Sequence, residues 1–189
     1  MSYLADGVYY EFIALACNAR YTMPLGLKWS KRPVFRVYRG SGLYNILRDG
    51  KEEQLLLYAP LDPIDFYDSL MHRLDSELTG CAPPRDFIVY VSCTPKLLLS
   101  NQEYDLYECG NAEVVPGKPV PYTRVYGCLT ELLIILTKLE AQVIPGSKAL
   151  EYAENLANCV KRASPDKRVY WGVADEVLQR ISELSQENL

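Results

Sequence analysis

The chain has 189 residues, 49% of them hydrophobic, and a formal net charge of -4 at pH 7. This length fits one domain, or one domain with an appendage, and the hydrophobic fraction is ample for a core. The acidic balance argues against a nucleic-acid partner, because phosphate backbones select basic surfaces.

Two features of the chain bear on its location. The densest apolar stretch, LLIIL (132–136), is too short to cross a bilayer. The first residues, MSYLADGVYYEF, lack the basic start and apolar core of a signal peptide. We therefore expect a cytoplasmic protein that does not insert into a membrane.

The first half of the chain is typical of strands. Residues that favour β-structure predict strands over 7–18 and 21–29. Apolar and polar residues alternate over 32–40, which predicts a strand with one solvent-exposed face. The run EEQLLLYAP (52–60) is more continuously apolar and predicts a strand covered on both faces.

A helix is predicted over 61–78, with Asp62 as the N-cap and Pro63 at the first helical position. Residues 85–94 predict another strand, and 95–115 are expected to continue the sheet through a bend or a hairpin. The prolines and glycine of PGKPVPY (116–122) predict a linker.

Everything after this linker is predicted to be helical. Apolar positions at helical spacing predict helices over 123–141, 147–163 and 170–184. Strands first and helices last indicate an α+β fold with segregated layers. We expect a barrel of five or six strands over 1–122, with the helix 61–78 inserted, followed by a helical region over 123–189.

The six cysteines are widely spaced and none forms a CxxC pair, so a zinc ribbon or thioredoxin-type site is not expected. No metal site is predicted, since helix-start preference explains the acidic series Asp62, Asp65 and Asp68. Disulfides would fit only a hyperthermophilic source. We expect unpaired, buried apolar side chains at Cys17, Cys81, Cys93, Cys109, Cys128 and Cys159.

Residues that would catalyse a reaction by themselves are hard to find. The one histidine, His72, has no nucleophile motif beside it, and we interpret it as a surface or interface residue. The chain has no HExxH, Walker A or GxGxxG motif. The catalytic residues stay unknown, and any chemistry is expected to be carried by a cofactor.

The stretch TMPLGL (22–27) places Pro24 and Gly26 inside a predicted strand, where both are unfavourable. A bulge or an edge strand would explain them. Alternatively, the kink frees backbone groups to contact a ligand that lies on the sheet.

The stretch GSGLYNIL (40–47) also has two interpretations. It is typical of a Ser-capped helical turn after a strand. The same arrangement of a hydroxyl and free backbone N–H groups can hold a phosphate.

In the third stretch, TELLIILTKL (130–139), Glu131 and Lys138 lie two turns apart on one face of an otherwise apolar helix. Charges on a buried helix need partners. An ion pair at a dimer interface would supply them, or the lysine could reach a phosphate.

In this order the stretches resemble a family of mostly archaeal proteins, the domain of unknown function 447, over nearly the whole chain. Its members are flavin-reductase-like split barrels. The resemblance rests on Glu11 with FIALACN, MPLGL (23–27), YRGSGLYNIL (38–47), YAPLDP (58–63) and ELLIILTKL (131–139).

The resemblance implies an FMN-binding split β-barrel of about six mainly antiparallel strands with a C-terminal helical tail. It further implies a homodimer with FMN at the subunit interface, and a flavin-dependent oxidoreductase of unidentified substrate. The flavin ring would lie near Met23, Pro24, Leu25 and Gly26. The phosphate would lie near the second stretch and the end of the third, at Ser41, Gly42, Tyr44, Asn45, Thr137 and Lys138.

An alternative function is a cofactor-free relative that acts as a binding or scaffold module. Gly42, Leu43 and Ile46 motivate it, because they stand where the family has a basic residue, a threonine and an asparagine. The family's association with one-carbon metabolism adds a pterin-pathway enzyme, to which no residue of this chain points.

Overall fold

A computed structural model gives the structure of the chain and describes residues 4–119, 123–165 and 167–187. The chain divides into two compact units, Met1–Val120 and Pro121–Leu189. The predicted linker, 116–122, therefore lies partly outside the described residues. The first unit carries the strands and the second unit the three long helices.

Residues 4–119 form six strands that close into an antiparallel barrel. Around the barrel the strands follow the order first, second, third, sixth, fifth and fourth, and the first pairs with the fourth to close it. This confirms the predicted fold class. The strands are β1 (Tyr9–Ala16), β2 (Tyr21–Lys28), β3 (Val34–Tyr38), β4 (Leu55–Pro60), β5 (Phe87–Ser100) and β6 (Tyr104–Pro116).

The burial of the strands follows their sequence patterns. Phe35 and Val37 of β3 are buried and the residues between and after them are exposed, as the alternation predicts. β4 is buried on both faces from Leu55 to Tyr58, as its apolar run predicts. The barrel core is filled by large apolar side chains, among them Phe12, Leu27, Phe35, Leu55, Leu57 and Val91.

β5 and β6 form one long hairpin, which is one of the two predicted arrangements. The Asn101 side-chain oxygen accepts hydrogen bonds from the backbone N–H groups of Glu103 and Tyr104, each at 2.8 Å, and fixes the turn. The end of the hairpin is less covered than its base, and it exposes Leu97, Leu98 and Leu99.

The prediction of one helix over 61–78 is wrong in length. After the short helix α1 (Gly42–Arg48), the structure has a second short helix, α2 (Ile64–Leu70), and then a separate 3-10 turn (Leu74–Glu77). The structure places Pro63 at the N-cap, one residue later than predicted, and the Asp62 carboxylate accepts from the Ile64 N–H at 3.0 Å just before the helix. The helix ends because His72 adopts a positive φ of 56°.

The prediction that the cysteines are unpaired is also wrong. Disulfides join Cys17 to Cys81, Cys93 to Cys109 and Cys128 to Cys159, and none of the six is free. Their Cα atoms lie 5.1, 5.1 and 6.1 Å apart, within the range of a disulfide. Folding brings the pairs together across sequence separations of 64, 16 and 31 residues, which spacing alone does not reveal.

The second unit contains the three predicted helices, α3 (Arg124–Glu140), α4 (Gly146–Ala163) and α5 (Arg168–Glu187). The Thr123 hydroxyl caps α3 by accepting from the Tyr126 N–H at 3.1 Å. One stripe of α4 is buried, at Ala149, Ala153, Ala157 and Val160, while Leu150 and Leu156, which the spacing placed on the same face, are half-buried. Among the described residues, no helix combines the length and the hydrophobicity that a membrane span requires.

Candidate functional site

The stretch of β2 that holds Pro24 and Gly26 lacks a strand partner on one side. β2 pairs with β1 along its whole length without a register shift, so the bulge interpretation does not apply on that side. Its pairing with β3 is confined, among the described residues, to Leu27 and Lys28. Residues 21–26 therefore have a strand partner on one side only, which is the edge-strand position that tolerates Pro24.

Gly26 lies directly opposite Glu11 in the register of β1 and β2. A Cβ added at Gly26 would meet Glu11 Oε1 at 3.5 Å, an ordinary contact distance. Because opposite residues of a strand pair share a face, the Glu11 carboxylate lies over Gly26. A negatively charged group thus borders the predicted ring site.

The Ser41 turn has the predicted capped geometry. The Ser41 hydroxyl accepts from the Tyr44 N–H at 3.2 Å and donates to the Tyr38 carbonyl at 2.8 Å. Gly40, with φ of 87°, turns the chain from β3 into α1. Both hydrogen-bonding functions of this hydroxyl are therefore used inside the turn.

Tyr21, which the sequence reasoning missed, covers the start of α1. A Cβ at Gly42 would lie 2.6 Å from Tyr21 Cζ, so only glycine fits beneath the ring. Burial raises the pKa of Tyr21, and the charge of Asp75 raises it further. A backbone hydrogen bond from Gly42 acts on this pKa in the opposite direction. The Tyr21 ring therefore covers the start of α1.

The Tyr21 ring is fixed from the segment after α2. Its centroid lies 5.3 Å from that of the His72 ring, and His72 Nδ1 lies 3.1 Å from Asp75 Oδ2. The other Asp75 oxygen accepts from the Thr22 N–H at 2.7 Å and from its hydroxyl at 2.6 Å. His72 is exposed, as predicted, and helps to hold Tyr21 over Gly42.

Two arginines flank the Ser41 turn and meet on one aromatic ring. The guanidinium carbons of Arg39 and Arg48 each lie 5.7 Å from the centroid of the Tyr44 ring. Sequence reasoning missed both, although Arg48 follows Tyr44 by four residues and so shares its helix face.

A buried carboxylate holds one of these arginines. Arg48 Nε lies 2.7 Å from Asp105 Oδ2, and the Asp105 side chain has no exposed surface. The Ser100 hydroxyl accepts from Arg48 at 2.7 Å and from Arg39 at 3.5 Å. Burial alone would raise the pKa of Asp105, but hydrogen bonds from Ser100 and Arg48 hold it below its usual range.

The remaining predicted contacts are Asn45 on α1 and two residues of α3. Asn45 is exposed on α1. In the helical unit, the Thr137 hydroxyl donates to the Ile134 carbonyl at 2.9 Å, and Glu131 and Lys138 are exposed on α3. The assignment of Thr137 and Lys138 to a cofactor stays a prediction.

Two members of the predicted acidic series, Asp65 and Asp68, bind an arginine together with Glu77. Arg85 Nη1 donates to Asp65 at 2.7 Å and to Asp68 at 2.8 Å, and its other amino group binds Glu77. Burial raises the pKa of Asp65 to about 6, although its bond to Arg85 lowers it. Among the described residues no cluster of metal-ligating side chains is present.

No protein-family profile matches the sequence, and no curated protein matches it. The structure is similar to the crystal structure of the FMN-bound protein MM1853 from Methanosarcina mazei, which carries the domain of unknown function 447. The TM-score is 0.66, and the match covers 95% of this chain and 96% of that one at 18% identity. The likeness confirms the predicted fold and agrees with the family that the sequence resembles.

Proposed function

We propose that this protein binds FMN on its barrel. The observation that carries the proposal is the likeness to an FMN-bound protein over 95% of the chain, at a TM-score of 0.66. The stretches that carry the sequence resemblance add support, since they occur in the family's order along the chain.

The residues present fit this cofactor. Residues 21–26 of β2 have a strand partner on one side only, and the flat ring would lie beside this stretch, near Met23 and Gly26. At the Ser41 turn, Arg39 and Arg48 supply the positive charge that a phosphate requires. Bound FMN would supply hydride or single-electron transfer, and the chain would position it and exclude water.

An oxidoreductase of unidentified substrate is the activity that this cofactor would give. No acid or base is assigned to it. Glu11 is an ionisable group beside the predicted ring site, and its carboxyl group borders Gly26. Its proposed part is to shape that face of the site.

We also propose a homodimer, which the family resemblance implies. The barrel unit offers apolar surface for a second copy, because Leu97, Leu98 and Leu99 are 43, 43 and 50% exposed. Sedimentation velocity tests this proposal, since a dimer would have twice the mass of the 21.5 kDa chain. A single species at the monomer mass would contradict it.

Absorption spectroscopy tests the cofactor. We expect the purified protein to be yellow, or to take up added FMN in a titration that ends at one FMN per chain. Dialysis followed by a second titration separates tight from weak binding. A colourless preparation that takes up no FMN would overturn the proposal.

The alternative is a cofactor-free binding module with the same fold. One observation favours it: the Ser41 hydroxyl, which would help to hold a phosphate, donates within the chain, and the Tyr21 ring covers the neighbouring Gly42. This alternative predicts no uptake of FMN in the same titration. Uptake of one FMN per chain would exclude it.

A further inference from the structure

We propose that Arg39 and Arg48, together with the Tyr44 ring, form a clamp for the phosphate monoester of the bound flavin. The inference rests on the proposed binding of FMN. It assigns the phosphate to guanidinium groups rather than to the start of α1.

The clamp is built around one aromatic ring. Both guanidinium groups lie 5.7 Å from the Tyr44 centroid, and the Ser100 hydroxyl accepts a hydrogen bond from each. Contact with a ring face and a shared acceptor restrict the two long side chains. Little conformational entropy is then left to lose when an anion binds.

The charges around the clamp do not cancel. Asp105 is the carboxylate paired with Arg48. Among the described residues, no carboxylate forms an ion pair with Arg39. The cluster therefore carries one excess positive charge beside the Ser41 turn. A guanidinium fork matches two oxygens of a phosphate, which gives this charge a preferred ligand.

The start of α1 does not provide an equivalent site. Ser41 donates to Tyr38 and accepts from Tyr44, and the Tyr21 ring covers Gly42, with its Cζ atom 2.6 Å from where a Cβ would lie. Leu43, which follows, has an apolar side chain. The charged side-chain donors available beside the turn are therefore Arg39, which precedes it in the sequence, and Arg48, which follows it.

The test compares FMN with riboflavin, which has the same ring system and lacks the phosphate. Dissociation constants are measured by flavin fluorescence for the wild type, Arg39→Gln and the control Arg36→Gln. Arg36 is a suitable control because it lies on β3 with its guanidinium 4.8 Å from a different ring, Tyr104. Arg39 is preferred to Arg48 as the test position, because losing Arg48 would leave buried Asp105 unpaired.

We expect the wild type to bind FMN about 10-fold or more tightly than riboflavin, as a charged hydrogen bond to the phosphate implies. Arg39→Gln should weaken the binding of FMN by about 10-fold and leave the dissociation constant of riboflavin unchanged. Arg36→Gln should change neither constant. Arg39→Lys should restore part of the loss, since it keeps the charge without the fork.

Two results would overturn the clamp while flavin binding stands. One is equal affinity of the wild type for FMN and riboflavin. The other is an equal loss of affinity for FMN and for riboflavin in Arg39→Gln, which would indicate that Arg39 has a structural role. If the wild type binds neither flavin, the proposed function fails, and inorganic phosphate becomes the probe. The clamp then requires phosphate to raise the Tm of the wild type more than that of Arg39→Gln, and equal shifts would overturn it.

Discussion

The glycine at position 42 is required by a side chain from the start of another strand. Tyr21 occupies the space that a Cβ would need, and His72 and Asp75 hold that ring and its neighbour Thr22 in place. The sequence singles out Gly42 only as part of a turn. Its partner lies 21 residues earlier, and no spacing pattern connects the two.

Replacing Gly42 by alanine should therefore destabilise the barrel. The new methyl group would meet Tyr21 Cζ at 2.6 Å, and such overpacking costs about 1–3 kcal/mol. Urea unfolding measures the cost. Gly80→Ala is the control, because nothing lies within 4 Å of its added Cβ. The explanation fails if Gly42→Ala lowers the free energy of unfolding no more than Gly80→Ala does. It also fails if Gly42→Ala is equally destabilising in a protein that already carries Tyr21→Ala.

Asp65 gives the barrel a pH dependence of known sign. Burial raises its pKa from 3.8 to about 6, so the folded chain holds this proton more tightly than the unfolded chain. The resulting stability is fully present below the unfolded pKa and is lost as the pH rises through about 6. Asp65 thus opposes Glu77, whose hydrogen bond to Arg85 lowers its pKa.

The variant Asp65→Asn should reveal this effect. Asparagine cannot ionise, so the variant should gain stability relative to the wild type between pH 4 and pH 7, the window around the pKa of about 6. Free energies of unfolding for both proteins at several pH values measure the difference. A constant difference across this range, or one that moves the opposite way, would contradict the raised pKa.

Strands and helices were predictable where a periodic pattern is sustained. The alternation over 32–40 and the apolar run over 52–60 predict the observed β3 and β4 with their burial. The helix over 61–78 was predicted too long, because the apolar stripe continues into the 3-10 turn at Leu74. The helix ends where His72 adopts a positive φ, and the apolar spacing in the sequence gives no sign of this end.

The disulfides tie elements together that the sequence separates. Cys17 lies in the turn between β1 and β2, and Cys81 follows the 3-10 turn. Their bond therefore joins the β1–β2 turn to the segment after α2, which also contains His72 and Asp75. Pairing across 64 residues depends on the folded barrel. Local spacing therefore could not predict it, and the assumption of a reducing compartment led to the wrong expectation.

Thiol counting tests the three pairs. Denatured protein that has not been reduced should show no reactive thiol, and six should appear after reduction. The double variant Cys17→Ser/Cys81→Ser should lose about 2–5 kcal/mol of stability, because a long loop is no longer closed in the unfolded chain. Six thiols in the unreduced protein would mean that the cysteines are unpaired.

Closure of the barrel positions every part of the proposed site in the first unit. β1 pairs with both β2 and β4, and this pairing fixes the position of β2 in the barrel. β6 pairs with β3 and carries Asp105 to the flank of the Ser41 turn. The family resemblance predicts the ring and phosphate regions from sequence. Arg48 shares a helix face with Tyr44 and was predictable from spacing, whereas Asp105 and Tyr21 reach the turn only because strands distant in sequence are brought together.

Native mass spectrometry after incubation with FMN measures the central claim most directly, because it reports the cofactor and the assembly together. We predict one FMN per chain on a particle of two chains. Bare chains at FMN concentrations that saturate a known flavoprotein control would contradict the claim that this barrel is an FMN site.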